Sequence, residues 1–182
     1  FKPIWDRWNA LDPAAQVADS VRANERFVSR LEGLPAADRQ RFSVALFGSP
    51  TDLAGLAAAR LGEHAVHTWD VAVALDPSAV VAADAAELLV DQLVRTVAHA
   101  GKPSAQPRSV VVETSQPQRR FVLTTGPQVL LVAAGADDAR PAEVRLTAEA
   151  LVRLVYGRLD VSHTPSNIGD SSLLEDLRQL FP

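Results

Sequence analysis

The pattern of the chain changes at Gly101-Lys102-Pro103. Before that point apolar residues recur at helical spacing, and after Pro107 they fall into short runs rich in β-branched residues. A chain ordered in this way must build helices first and a sheet with helices second, because a segment patterned for one period cannot bury its apolar side in the other. The break is the expected domain boundary, with an all-helical part at 1–103 and an α+β part at 104–182.

In the helical part, Asp12-Pro13 predicts a helix start, combining an N-cap acceptor with a ring that needs no donor in the first turn. Val17, Val21, Val28 and Leu31, with Phe27 beside them, continue that helix until Gly33-Leu34-Pro35. Residues 38–47 predict a short helical turn that gathers Phe42, Leu46 and Phe47 before Gly48-Ser49-Pro50. Thr51 or Asp52 caps a long helix that runs to about Leu75, interrupted only by Gly62 and stopped by Asp76-Pro77. Alanine-rich sequence at 82–100 predicts a third. Downstream, 109–113, 120–124 and 129–133 read as a meander and 143–146 as a further strand. Thr147 caps a helix over 148–156, and Ser171-Ser172 open a last one through Leu180. Trp5, Trp8 and Trp69 are expected to be core or helix-packing residues without a site role; Trp69 points about 200° away from His67 on an ideal helix and is expected in the core.

Composition narrows the function classes. An apolar fraction of 47% with 22% charged residues is that of a folding chain. A net charge of −4 without any basic run argues against nucleic acid and anionic membrane as partners, and leaves a small molecule as the default. The longest apolar stretch, Leu56 to Leu75, is interrupted by Arg60, Glu63, His64, His67 and Asp70, so it reads as a helix in water and a cytoplasmic location is expected. With no cysteine, any thiol chemistry must use a thiol supplied by a cofactor. The chain opens at Phe1 without an initiating Met, and a missing N-terminal segment is expected.

Chemistry concentrates in Arg60-Leu61-Gly62-Glu63-His64-Ala65-Val66-His67-Thr68-Trp69-Asp70. Four residues apart on a helix, Glu63 and His67 stand one above the other and can reach one ion, while Asp70 can join them or orient the imidazole from behind. Carboxylate oxygen with imidazole nitrogen suits Zn²⁺ or another divalent metal. The competing interpretation is a salt-bridging helix face. His99 and His163 sit in no comparable cluster.

Residues 60–76, RLGEHAVHTWDVAVALD, resemble the signature helix of mycothiol-dependent maleylpyruvate isomerases and their DinB-like relatives. The resemblance implies a DinB-like antiparallel four-helix bundle, its N-terminal part missing here, followed by a small α+β domain similar to sterol-carrier folds. It implies that Glu63 and His67 are metal ligands, that His64 matches a variable position, and that a third ligand is a His on an earlier helix. No His precedes Glu63 in this chain.

It implies mycothiol as the thiol cofactor, an isomerase or thiol transferase activity on a small anionic substrate, and a monomer or homodimer. In Leu151-Val152-Arg153-Leu154-Val155-Tyr156-Gly157-Arg158-Leu159, similar to a Gly-Arg segment of these enzymes, Arg158 becomes the candidate catalytic and cofactor-binding cation. Equally open is that Gly157 caps the helix and Arg158 satisfies its terminal carbonyls. Arg153 and Arg60 are further candidates for substrate carboxylates. The alternatives from other classes are a non-catalytic binding or regulatory protein on the same scaffold and, more remotely, a lipid carrier.

Overall fold

The computed structural model describes residues 2–46, 48–166, 168 and 172–181, so Phe47 and Ser171 lie outside the described residues. Helices and a mixed sheet make the chain α+β. It forms two compact units, Phe1–Leu53 and Ala54–Pro182.

The first unit holds α1 (Lys2–Asn9), α2 (Pro13–Glu32), α3 (Ala36–Arg41) and a hairpin of β1 (Val44–Leu46) with β2 (Ser49–Thr51). Asp12 caps α2 as expected: its Oδ1 accepts from the amides of Ala14 and Ala15 at 3.0 and 3.1 Å, and Gly33 closes the other end. The helical turn expected over 38–47 is corrected. Helix ends at Arg41, and Gly48, at φ 82°, turns the chain back on itself as a residue with a side chain rarely can. Trp5 and Trp8 are corrected as well, being 65% and 37% exposed in a helix that buries no residue. The sequence reading did not anticipate α1.

The second unit carries α4 (Leu53–Ala72), α5 (Ala83–Leu89), a 3₁₀ turn at Val90–Gln92, and α6 (Leu93–Ala100). Strands β3 (Arg108–Ser115), β4 (Arg119–Thr125), β5 (Leu130–Ala133) and β6 (Val144–Thr147) follow, then α7 (Ala148–Val155) and α8 (Ser172–Arg178). Helix α4 stops before Leu75 because Asp76 turns the chain. Its amide donates to the Ala72 carbonyl at 2.8 Å while its side chain accepts from the amide and hydroxyl of Ser78. The single helix expected over 82–100 is broken by the 3₁₀ turn, with Leu89, Val90, Leu93 and Val97 all buried along it.

The sheet order is β5-β4-β3-β6. The first three strands form the expected antiparallel meander, and β6 returns parallel to β3. Register explains the core: Val110 pairs with Leu123, Val112 with Phe121 and with Val144, and Leu123 with Leu131, so alternate residues of all four strands share one apolar face. Leu89, Leu93 and Val97 join that same cluster. This cluster draws residues from both sides of the boundary expected at 103/104. The helices before it and the strands after it bury the same apolar surface, because neither layer can cover its apolar side alone.

Every residue of α7 is buried, including Glu149 and Arg153. These two side chains form an ion pair one helical turn apart. Each has further partners: Glu149 accepts from the Val81 amide at 3.1 Å, and Arg153 donates to the His163 carbonyl at 2.7 Å. The Arg153 guanidinium also lies 5.2 Å from the centre of the Trp69 ring, which is itself 5% exposed and donates to the Ala79 carbonyl at 2.8 Å. Trp69 is core, as expected. Removing one member of a buried pair strands the other charge, so Glu149→Ala is expected to lower the unfolding free energy by about 3–5 kcal/mol. Val71→Ala, at a site 67% exposed, should stay within about 0.5 kcal/mol of the parent; urea denaturation of both variants checks the contrast.

Candidate functional site

Helix α4 forms because the run from Leu53 is rich in Ala and Leu, and it turns Gly62, Val66 and Trp69 inward. That orientation leaves Glu63 and His67 on the outer face, with side chains 54% and 63% exposed. His67 Nε2 lies 3.3 Å from Glu63 Oε2. On the other side of the ring, Nδ1 lies 3.0 Å from Asp70 Oδ2. The two ring nitrogens face apart, so Asp70 cannot share an ion held at Nε2; it orients the ring instead.

Asp70 is held in turn by Arg158, from the segment that follows α7. Arg158 Nε donates to Oδ1 at 3.1 Å and Nη2 to Oδ2 at 3.0 Å, a two-pronged contact, while Nη1 donates to the Tyr156 carbonyl. Both interpretations of Arg158 thus have a counterpart: it satisfies a carbonyl near the helix end, and it stands beside the Glu63–His67 pair. The guanidinium holds the Asp70 carboxyl below its ordinary value of 3.8, with a further lowering from His67 against the opposing effect of burial. The same contact pushes Arg158 up. Burial lowers His64, helped by the positive Arg60 and by His67, which favours its neutral form.

A third contact sets the distance between α4 and the end of α7. A β-carbon at Gly62 would lie 2.3 Å from Tyr156 Oη, so any other residue would displace the phenol from its present place. Gly62 was legible only as an interruption of the long helix, although a glycine inside an alanine-rich helix is itself a signal of close approach. Arg153 is corrected as a substrate cation: buried and held by Glu149, it is turned away from solvent. His163 accompanies Asp160, its Nδ1 2.9 Å from that carboxylate, and meets the Trp69 ring edge-on.

Electrostatics defines what the outer face can do. If Nδ1 carries the proton given to Asp70, the Nε2 lone pair faces a carboxylate oxygen at 3.3 Å. A cation placed between the two acceptors would turn that facing into an attraction. Two donors on a tetrahedral ion with bonds of about 2.0–2.1 Å stand roughly 3.3 Å apart, so the pair fits one edge of such an ion. Among the described residues no group of three or more His, Asp or Glu side chains is placed to hold a metal. A cleft of about 450 Å³ opens elsewhere, between Glu113, Gln116, Arg145 and Thr147, and includes neither Glu63 nor His67.

Because the folded-state pKa of Asp70 lies below 3.8, its ion pair stabilises the fold fully above that value and is lost as pH falls through the lowered one. Asp70→Asn is therefore expected to be less stable than the parent at pH 7, and the difference should vanish at the acid end of the range. Denaturant midpoints measured at a series of pH values check the convergence.

Comparison with known proteins agrees with the signature at 60–76. Residues 2–72 match the family model described as the mycothiol maleylpyruvate isomerase N-terminal domain, a span that includes Glu63, His67 and Asp70 and ends before Arg158. No curated protein and no solved structure gives a significant match to the chain. The chain is therefore similar to the mycothiol maleylpyruvate isomerase N-terminal domain over residues 2–72.

Proposed function

We propose that Glu63 and His67 hold a divalent metal, zinc being the ion that best suits one carboxylate and one imidazole, and that the protein is a mycothiol-using isomerase or thiol transferase acting on a small anionic substrate. The observation that carries the proposal is the 3.3 Å approach of His67 Nε2 to Glu63 Oε2, with Nδ1 already engaged by Asp70. The family match over residues 2–72 supports mycothiol as the thiol. The same reading includes a DinB-like four-helix bundle and, from the order of elements after residue 108, a sterol-carrier-like C-terminal part.

When bound, the ion supplies the Lewis acidity that keeps a cofactor sulfur as thiolate near neutral pH. The chain supplies the rest. Glu63 and His67 set the position of the charge, and Asp70 holds the imidazole in the tautomer that leaves Nε2 free to ligate. Arg158 keeps N–H groups beyond the three contacts it makes here and places positive charge beside the pair, where a substrate or cofactor carboxylate would need it. A bound cofactor thiol would supply the nucleophile for cis–trans isomerisation of an unsaturated diacid such as maleylpyruvate, and the remaining Arg158 N–H groups would hold a carboxylate of that substrate.

A non-catalytic binding protein on the same scaffold predicts a different metal content. The purified protein is expected to carry one equivalent of zinc or another divalent metal by elemental analysis, and the Glu63→Ala, His67→Ala double variant none. Mycothiol-dependent cis–trans isomerisation of maleylpyruvate, followed by absorbance, should disappear with the metal. A parent without stoichiometric metal would sink the metal proposal and leave the binding protein.

A further inference from the structure

Arg158 reaches the site through a carboxylate already engaged by His67. Its Nε and Nη2 occupy both oxygens of Asp70, and Oδ2, the oxygen that takes Nη2, is the one 3.0 Å from His67 Nδ1. A carboxylate free to rotate about its terminal torsion would present either oxygen, or neither, to the imidazole. A two-pronged guanidinium contact removes that freedom, because its planar geometry accepts the carboxylate in one plane. Arg158 is fixed in turn by its donation to the Tyr156 carbonyl, and Tyr156 packs against α4 at Gly62, one residue before Glu63. The segment after α7 therefore grips α4 on both sides of the Glu63–His67 pair, at Gly62 and at Asp70.

We infer that Arg158 is a positioning residue for His67: acting through Asp70, it selects the tautomer and ring orientation that direct Nε2 toward Glu63. This couples residues 156–158 to a site whose two donors both lie on α4. The inference deepens the metal proposal but does not require it, since the orientation of the imidazole is a property of the metal-free chain.

The test is the tautomer of His67, read from imidazole nitrogen and proton shifts by NMR on the metal-free protein. The spectra are recorded above the ordinary imidazole pKa of about 6.5, with His67→Gln used for assignment. The parent should hold the proton on Nδ1, and Asp70→Ala should shift it toward Nε2. Arg158→Gln should shift it in the same direction with Asp70 still present, and Arg158→Lys should restore it only in part, since an ammonium cannot make the two-pronged contact. Zinc affinity, measured by competition with a chromophoric chelator, gives the second reading. Asp70→Ala should weaken it by about 10–100-fold and Arg158→Gln severalfold, with the double variant no weaker than Asp70→Ala alone.

An unchanged tautomer in Arg158→Gln would overturn the inference, as would zinc losses that multiply in the double variant. A tautomer that responds in a parent unable to bind zinc would uphold the positioning role and remove the metal proposal instead.

Discussion

A charge buried in the middle of α7 governs the arrangement of the second unit. Arg153 is 2% exposed, and a guanidinium cannot leave water unless its donors find acceptors. Glu149 one turn away, the His163 carbonyl and the Trp69 ring together meet that demand. Each partner brings a different segment to α7: Trp69 brings α4, His163 the chain after residue 160, and Glu149 the loop at Val81 through its amide. The apolar layers supply most of the burial, but they are non-directional. The ion pair adds direction, requiring α4 to meet α7 with Trp69 inward.

That orientation determines the outer face. With Gly62, Val66 and Trp69 turned inward, Glu63 and His67 must point outward at helical spacing, and Asp70 falls at the edge where the segment after α7 can reach it. The two-pronged Arg158–Asp70 contact and the close approach of Tyr156 to Gly62 are the visible results. A site built on a single helix gains its orienting shell from chain about ninety residues further on, since Arg158 lies 88 positions after Asp70. Such a division suits a chemistry in which two ligands hold an ion and the remaining groups set geometry and charge.

Several elements were legible because their causes are local. Asp12 caps α2, Thr147 caps α7, and period-2 runs produce strands at nearly the expected positions. The Glu63–His67 pair was legible for the same reason, since a four-residue spacing on a helix brings two side chains together whatever surrounds them. The hairpin at 44–51 was missed because Phe42 and Leu46 suit a helical face as well as a strand, and only the left-handed turn at Gly48 separates the two. Trp5 and Trp8 were read as core or helix-packing residues on their apolar character, which fixes what burial would gain and says nothing of whether a partner surface is present.

The sequence by itself determined the capped helices, the approximate strand positions and the placing of one carboxylate and one imidazole on the same face of α4, because each depends on residues within a turn or two of one another. Only the tertiary structure decided that α4 to α6 and the strands after them share a core, that Arg153 is buried while Arg158 meets Asp70, and that Asp70 contacts His67. Those outcomes rest on contacts between residues tens of positions apart, where geometry depends on how apolar layers pack and on which acceptors a buried cation can find.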